Sequence, residues 1–153
     1  MEVSPMDISA SGMRAQRKRM EVIAVNLANA DTTNAGQEIV QGSDGERYVR
    51  YTPYRRKEVI FEAGNLVRGD RKFGVTVPRV VDDMTDFRKE FEPGHQHAVN
   101  IPGDADYGKV LHPNVNPIVE MVDMIAASRA YEANITAAEM FKNMSSQTLR
   151  ILA

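Results

Sequence analysis

The 153-residue sequence has no cysteine, so disulfides and thiolate metal sites are excluded, and packing or association must stabilise the chain in any oxidising compartment. It has no run of about 18 apolar residues, and no apolar core of roughly 7 to 15 residues follows a basic start. Neither a membrane span nor a cleaved signal is expected. Positive charge is not in excess either, since 19 Lys and Arg stand against 21 Asp and Glu for a net charge of -2. General affinity for nucleic acid, which depends on neutralising phosphates, is disfavoured.

What is present is unevenly distributed. Glu46 to Lys72 holds eight basic residues against four acids, whereas Asp82 to Asp106 holds seven acids against two bases. Around this split middle the chain reads as three parts, at 1–36, 37–113 and 114–153. The first carries Met6, Met13, Met20 and Leu27 at intervals of seven, with Ala10, Ile23 and Ala24 in adjacent turns. That spacing predicts an amphipathic helix over 6–30 with a narrow apolar seam. Ser4-Pro5 and Asp7 suit its positive end. Asp31 to Thr33, Asn34 and Gly36 favour local hydrogen bonds that stop it.

The middle is β-prone at Tyr48 to Thr52, Arg56 to Phe61 and Val75 to Val81, the last interrupted by Pro78. Turn signals at Gly42 to Gly45, Glu62 to Asn65, Pro93-Gly94 and Pro102 to Asp104 separate these runs. Three to five short strands around a thin core are expected.

After Pro117 there is neither glycine nor proline for 36 residues. Asn116-Pro117 suits an N-cap followed by proline at the first helical position. Ser128, Arg129, Glu132, Thr136, Glu139, Asn143, Ser146, Gln147 and Arg150 trace one polar stripe, and most of the remaining perimeter is apolar. At 1.5 Å per residue this helix would be about 50 to 55 Å long and the first under about 40 Å. A hairpin of the two covers one face of the longer helix and leaves more apolar surface than soluble monomers tolerate. The fold class expected is therefore α+β, with N- and C-terminal helices paired as a coiled coil around a small loop-rich β region, and with surplus helix surface for other chains.

Candidate chemistry is sparse. Arg14, Arg17, Lys18 and Arg19 read either as a basic-helix nucleic-acid module or as a solvated or salt-bridged face, and no aromatics interleave with them. His95 and His97, with Asp104 and Asp106 downstream, could supply the ligands of a metal-dependent enzyme, although two histidines in a Pro-Gly loop are a weak signal. Asp82, Asp83 and Asp86 read as a solvated turn before they read as an acid-base pair. The Gly-Ser-Asp-Gly turn lacks the length and lysine of a phosphate loop. No catalytic, cofactor or metal residue is assigned.

The stretch SGMRAQRKRMEVIAVNLANADTT, Ser11 to Thr33, resembles the N-terminal signature of bacterial flagellar axial proteins, the rod, hook and hook-associated families. FEPGHQHA and HPNVNPIVEMVDMIAASRAYEAN resemble the rod branch. The resemblance implies a structural subunit rather than an enzyme. Such a subunit would be exported unfolded by the flagellar type III apparatus, polymerise helically with its own copies and other rod proteins, and carry motor torque through a rod crossing the periplasm. It further implies contact with the basal-body protein FliE.

On that reading the assembly interface combines the seam Met6, Met13, Met20, Ile23 and Leu27 with Ile118, Met121, Val122 and Ile125. Ile135, Ala138, Phe141 and Leu149 extend it along the last helix. Tyr131 is either a core aromatic or an intersubunit anchor, with Asn134 beside it. Asn26 and Asn29 lie off the seam and are expected in solvent or bonded to a neighbouring subunit.

Overall fold

The computed structural model describes residues 4–68 and 71–152, with side chains described except at 65–68, 71–72, 149 and 151–152. The element order is α1 (Pro5–Ala28), β1 (Gly36–Gln41), β2 (Arg47–Thr52), β3 (Lys57–Arg68), β4 (Arg71–Asp82), β5 (Arg88–Phe91), β6 (Lys109–His112) and α2 (Pro117–Leu152). The strands form three two-stranded sheets, β1-β2, β3-β4 and β5-β6. This is the expected α+β arrangement of terminal helices around small antiparallel pairs. Two compact units are built from it.

The first unit takes Met1–Ala24, Glu58–Val81 and Met121–Ala153. Ser4 and Asp7 cap α1 reciprocally: the Met6 amide donates to Ser4 Oγ at 3.2 Å and the Ser4 amide to Asp7 Oδ2 at 3.2 Å. The two helices pair antiparallel, because Gly12 abuts Asn134 while Arg19 Nη2 reaches Asp123 Oδ1 at 2.8 Å nearer the start of α2. A methyl added at Gly12 would stand 2.7 Å from Asn134 Oδ1, so the lack of a side chain is what permits this approach. Ser11 Oγ accepts the Val75 amide at 3.0 Å and donates to Ile8 O at 2.6 Å, which ties β4 to α1.

The expected seam is not the face that α1 buries. Ser11, Ala15, Val22 and Ile23 are buried; Met13 and Met20 are half-buried; Met6 and Leu27 are 45% and 38% exposed. Small side chains let the backbones come close, whereas a row of methionines would hold them apart. The seven-residue repeat therefore marks the flank of α1, and only Ile23 of the expected seam is fully buried.

The second unit takes Val25–Lys57 and Asp82–Glu120. In β1-β2, Ile39 faces Val49 and Val40 faces Tyr48, with Gly45 at φ 85° in the turn between them. In β5-β6, Glu90 faces Val110. A further rung joins Val99 to the start of β6, where its amide donates to Lys109 O at 2.9 Å and accepts Gly108 N–H on its carbonyl at 2.8 Å. Ala98, Val99, Ile101, Val110 and Val115 form the apolar core, which is as thin as expected. Strands β2, β3 and β4 match β-prone runs; β1, β5 and β6 do not. Pro78 does not interrupt β4, since each strand of a two-stranded sheet has one unpaired edge where a residue without N–H fits.

Candidate assembly interface

Helix α2 starts on its expected cap: Asn116 Oδ1 accepts the Ile118 amide at 3.0 Å, with Pro117 at the first helical position. From there its sides diverge. Glu120, Asp123, Met124, Ala127, Tyr131, Asn134, Ile135, Ala138 and Phe141 are buried or half-buried at steps of three and four, which is the stripe facing the chain's own partners. Ile118, Met121, Val122 and Ile125 repeat the same spacing on the opposite side and are 70%, 48%, 62% and 55% exposed. The same outer side turns polar from Ser128 and Arg129 onward, where Ser128 Oγ meets Glu132 Oε1 at 3.5 Å. The outer face is continuously apolar over the first turns of α2, and Met140 and Met144, 62% and 64% exposed, add apolar surface farther along the helix.

The remaining expected interface residues separate in the same way. Tyr131, Asn134, Ile135, Ala138 and Phe141 lie on the inner stripe, and Asn134 Nδ2 is turned back on Ala130 O at 2.7 Å. The side chain of Leu149 lies outside the described residues. Asn29 is half-buried; its amide donates to Val25 O at 2.8 Å and its oxygen accepts Thr32 Oγ1 at 3.2 Å, closing the end of α1.

Asn26 departs from both expected readings. It is 1% exposed, and all its amide capacity is used inside its own unit. Nδ2 donates to Lys57 O at 2.8 Å and to Glu120 Oε2 at 3.1 Å. Oδ1 accepts the Lys57 amide at 2.9 Å and the Tyr54 hydroxyl at 2.9 Å. An amide has two donors and two acceptor lone pairs, so nothing is left for solvent or another subunit. Glu120, wholly buried, completes the node by accepting Arg56 Nε at 2.7 Å, and Arg56 Nη1 reaches Asp83 Oδ2 at 3.3 Å. Asp83 also accepts the Thr85 amide at 2.9 Å. That bond, joined by Thr85 Oγ1 and the Arg56 guanidinium, holds the Asp83 carboxyl below the usual carboxylate range against the opposing effect of burial. Burial first, and the charges of Asp82 and Glu120 second, push the Tyr54 phenol up. Sequence reading missed Glu120, Arg56 and Tyr54 because no local pattern marks a buried carboxylate in the first turn of a helix.

Most side chains of the alternative chemistries have partners within the chain. His97 Nδ1 lies 2.8 Å from Thr33 Oγ1, and its ring packs on Tyr51 with centroids 4.7 Å apart. His95 Nδ1 accepts the His97 amide at 3.1 Å. Of the downstream carboxylates, Asp104 pairs with Arg50, and Asp106 pairs with Lys89 at 2.9 Å and Lys109 at 3.1 Å. Among the described residues no three His, Asp or Glu are placed to hold a metal. In the basic cluster, Arg19 pairs with Asp123 and Lys18 with Glu21 at 3.1 Å, so two of the four cations are engaged in close pairs. No described helix is long and apolar enough to cross a membrane.

Residues 6–35 match the family described as flagella basal body rod protein, and residues 108–151 match the C-terminal family of flagellar basal body rod FlgEFG proteins. The chain is 37% identical to the flagellar basal-body rod protein FlgC of Bacillus subtilis, with 95% of each chain covered. It is 38% identical to that of Salmonella typhimurium, over 95% of this chain and 93% of the relative. Against the Aquifex aeolicus protein it is 36% identical, over 94% of this chain and 91% of the relative.

Proposed function

We propose, because this chain belongs to the FlgC family of flagellar basal-body rod proteins, that it polymerises helically with its own copies and with other rod proteins into a shaft carrying motor torque across the periplasm. It is a structural subunit of the rod and belongs to the flagellar basal body. The observation that supports helical polymerisation is the apolar outer face of Ile118, Met121, Val122 and Ile125, set on the opposite side of α2 from the stripe that the chain itself covers. A contiguous apolar face of this kind is characteristic of surfaces completed by another chain. The half-exposed methionine flank of α1 extends the same reading to Met6, Met13, Met20 and Leu27. Torque is then borne by many buried apolar contacts rather than by any reaction, and no catalytic role is assigned.

Further parts of the reading follow from family membership. The three-part division 1–36, 37–113 and 114–153 would separate the polymerising termini from an outward-facing middle. Export through the type III apparatus without a cleaved signal, and contact with FliE, complete it. The test replaces Ile118 and Ile125 together by aspartate in a strain whose own copy is deleted. Because both side chains are exposed, helix content and thermal stability of the purified chain should stay near wild type, while rod assembly and swimming are lost. Motile cells carrying the double variant would defeat the proposal.

A further inference from the structure

Residues Asp82 to Asp86 make a turn held by two side chains. Asn114 Nδ2 donates to Thr85 Oγ1 at 2.8 Å and to Asp83 O at 3.1 Å, and Arg55 Nη1 donates to Asp83 O at 2.9 Å. At the tip of this braced turn Met84 is 80% exposed, the most exposed large apolar side chain among the described residues. Asp82 and Asp86 flank it, both exposed and neither in an ion pair among the described residues. A hydrogen-bonded loop presenting one apolar side chain between two carboxylates with no ion-pair partner among the described residues is already ordered for binding, so little conformational entropy is left to lose.

A complementary surface exists in the other unit. Ala10, Met13, Arg14, Arg17 and Tyr131 line a cavity of about 220 Å³. Its lining combines two apolar side chains, an aromatic ring and two arginines. Arg14 has no ion pair among the described residues, and Arg17 only a loose one with Glu21 at 3.7 Å. Methionine is unbranched and polarisable, so it fills an irregular gap and gains from sulfur contact with a ring such as Tyr131.

We infer that the Asp82–Asp86 turn of one copy inserts Met84 into the Arg14–Arg17–Tyr131 cavity of a second copy, with Asp82 and Asp86 pairing to the two arginines. This rests on the reading of the chain as a polymerising rod subunit. The contact joins two different surfaces, so it is heterologous and propagates head to tail instead of closing as a two-fold dimer. Charge complementarity selects the pairing and the methionine anchors it.

The absence of cysteine from the sequence makes a clean test. Met13→Cys and Met84→Cys variants of the full chain, mixed at high concentration and oxidised, should give a disulfide-linked dimer only in the mixture. Arg14→Asp with Arg17→Asp in the Met13→Cys partner should lower that yield by about tenfold or more. Asp82→Arg with Asp86→Arg in the Met84→Cys partner should restore it, a rescue that misfolding cannot mimic. Dimers of Met84→Cys with itself, no mixed dimer, or loss without rescue would each overturn the contact. In cells, a Met13→Cys, Met84→Cys double variant should form intercopy disulfides within isolated basal bodies. A purely intrachain disulfide, or a cross-link to a different protein, would also overturn it. Basal bodies that contain the chain but no such link defeat this contact alone, whereas basal bodies without the chain defeat the rod reading as well.

Discussion

Asn26 Nδ2 donates to Glu120 Oε2 at 3.1 Å across 94 residues of sequence, joining the end of α1 to the start of α2 in the middle of a buried polar node. The same asparagine holds Lys57 and Tyr54, so one amide fixes three chain segments. Replacing it by alanine leaves the Lys57 amide and the Tyr54 hydroxyl without their partner. We expect a loss of about 2 to 4 kcal/mol in urea unfolding. Asn26→Asp should be at least as harmful, because it sets a second carboxylate beside buried Glu120. A change below about 0.5 kcal/mol in either variant would show that the node is dispensable.

Gly64 gives an independent prediction in the other unit. A methyl group there would lie 2.4 Å from the Phe73 carbonyl oxygen and 2.8 Å from the Gly74 carbonyl carbon. Both are backbone atoms and cannot rotate away, so Gly64→Ala forces the β3 and β4 strands apart. The expected cost is about 1 to 3 kcal/mol, measured as a lower midpoint in chemical denaturation. An unchanged or raised midpoint would contradict the close approach.

Acid should weaken the Asp83 contact specifically. The Asp83 carboxyl is held below its ordinary value of 3.8 by the Thr85 amide and by Arg56. A depressed folded pKa means that the contribution is fully present above the unfolded value and is lost as pH falls from there through the folded one. Wild type should therefore exceed Asp83→Asn in stability at pH 7, with the gap narrowing below about pH 4. A gap that widens in acid would reverse the sign and refute the assignment.

Tyr48 should be a late-titrating tyrosine. Its hydroxyl donates to Asp44 Oδ2 at 2.6 Å, and that hydrogen bond pushes the phenol up to about 12. Absorbance titration should show one tyrosine ionising near that value, and Asp44→Asn should return it toward 10, its ordinary value. Because the folded pKa is raised, the contribution to stability is complete below the unfolded value and fades as pH rises through the folded one. An unmoved late phase in Asp44→Asn would assign it to another residue.

Asn26 shows where sequence reading stopped. Its position off the heptad seam was legible, but solvent and a neighbouring subunit were the expected destinations, and the structure places it in its own unit's core. On the α1 helix wheel Ser11, Ala15 and Asn26 are buried alongside Val22 and Ile23, and the first three are residue types that a search for large apolar side chains passes over. Strands β1 and β5 escaped for a related reason. All four residues of β5 are exposed, so no alternation marks them, and pairing with β6 is what makes the segment a strand.

Local chemistry in the sequence determined both helices and their limits, because the Ser4, Pro5 and Asp7 cap, the Asn116-Pro117 start and the polar stop after Ala28 act over a few residues. It also determined that α2 would carry more apolar surface than one hairpin covers, since that is a count around a single helix. Tertiary structure alone decided which face is inner and which is outer. That choice depends on how closely one helix can admit a side chain of the other, as Gly12 admits Asn134, and on whether a buried amide such as Asn26 finds all its partners. Those partners come from segments far apart in the chain, so no window of sequence contains them.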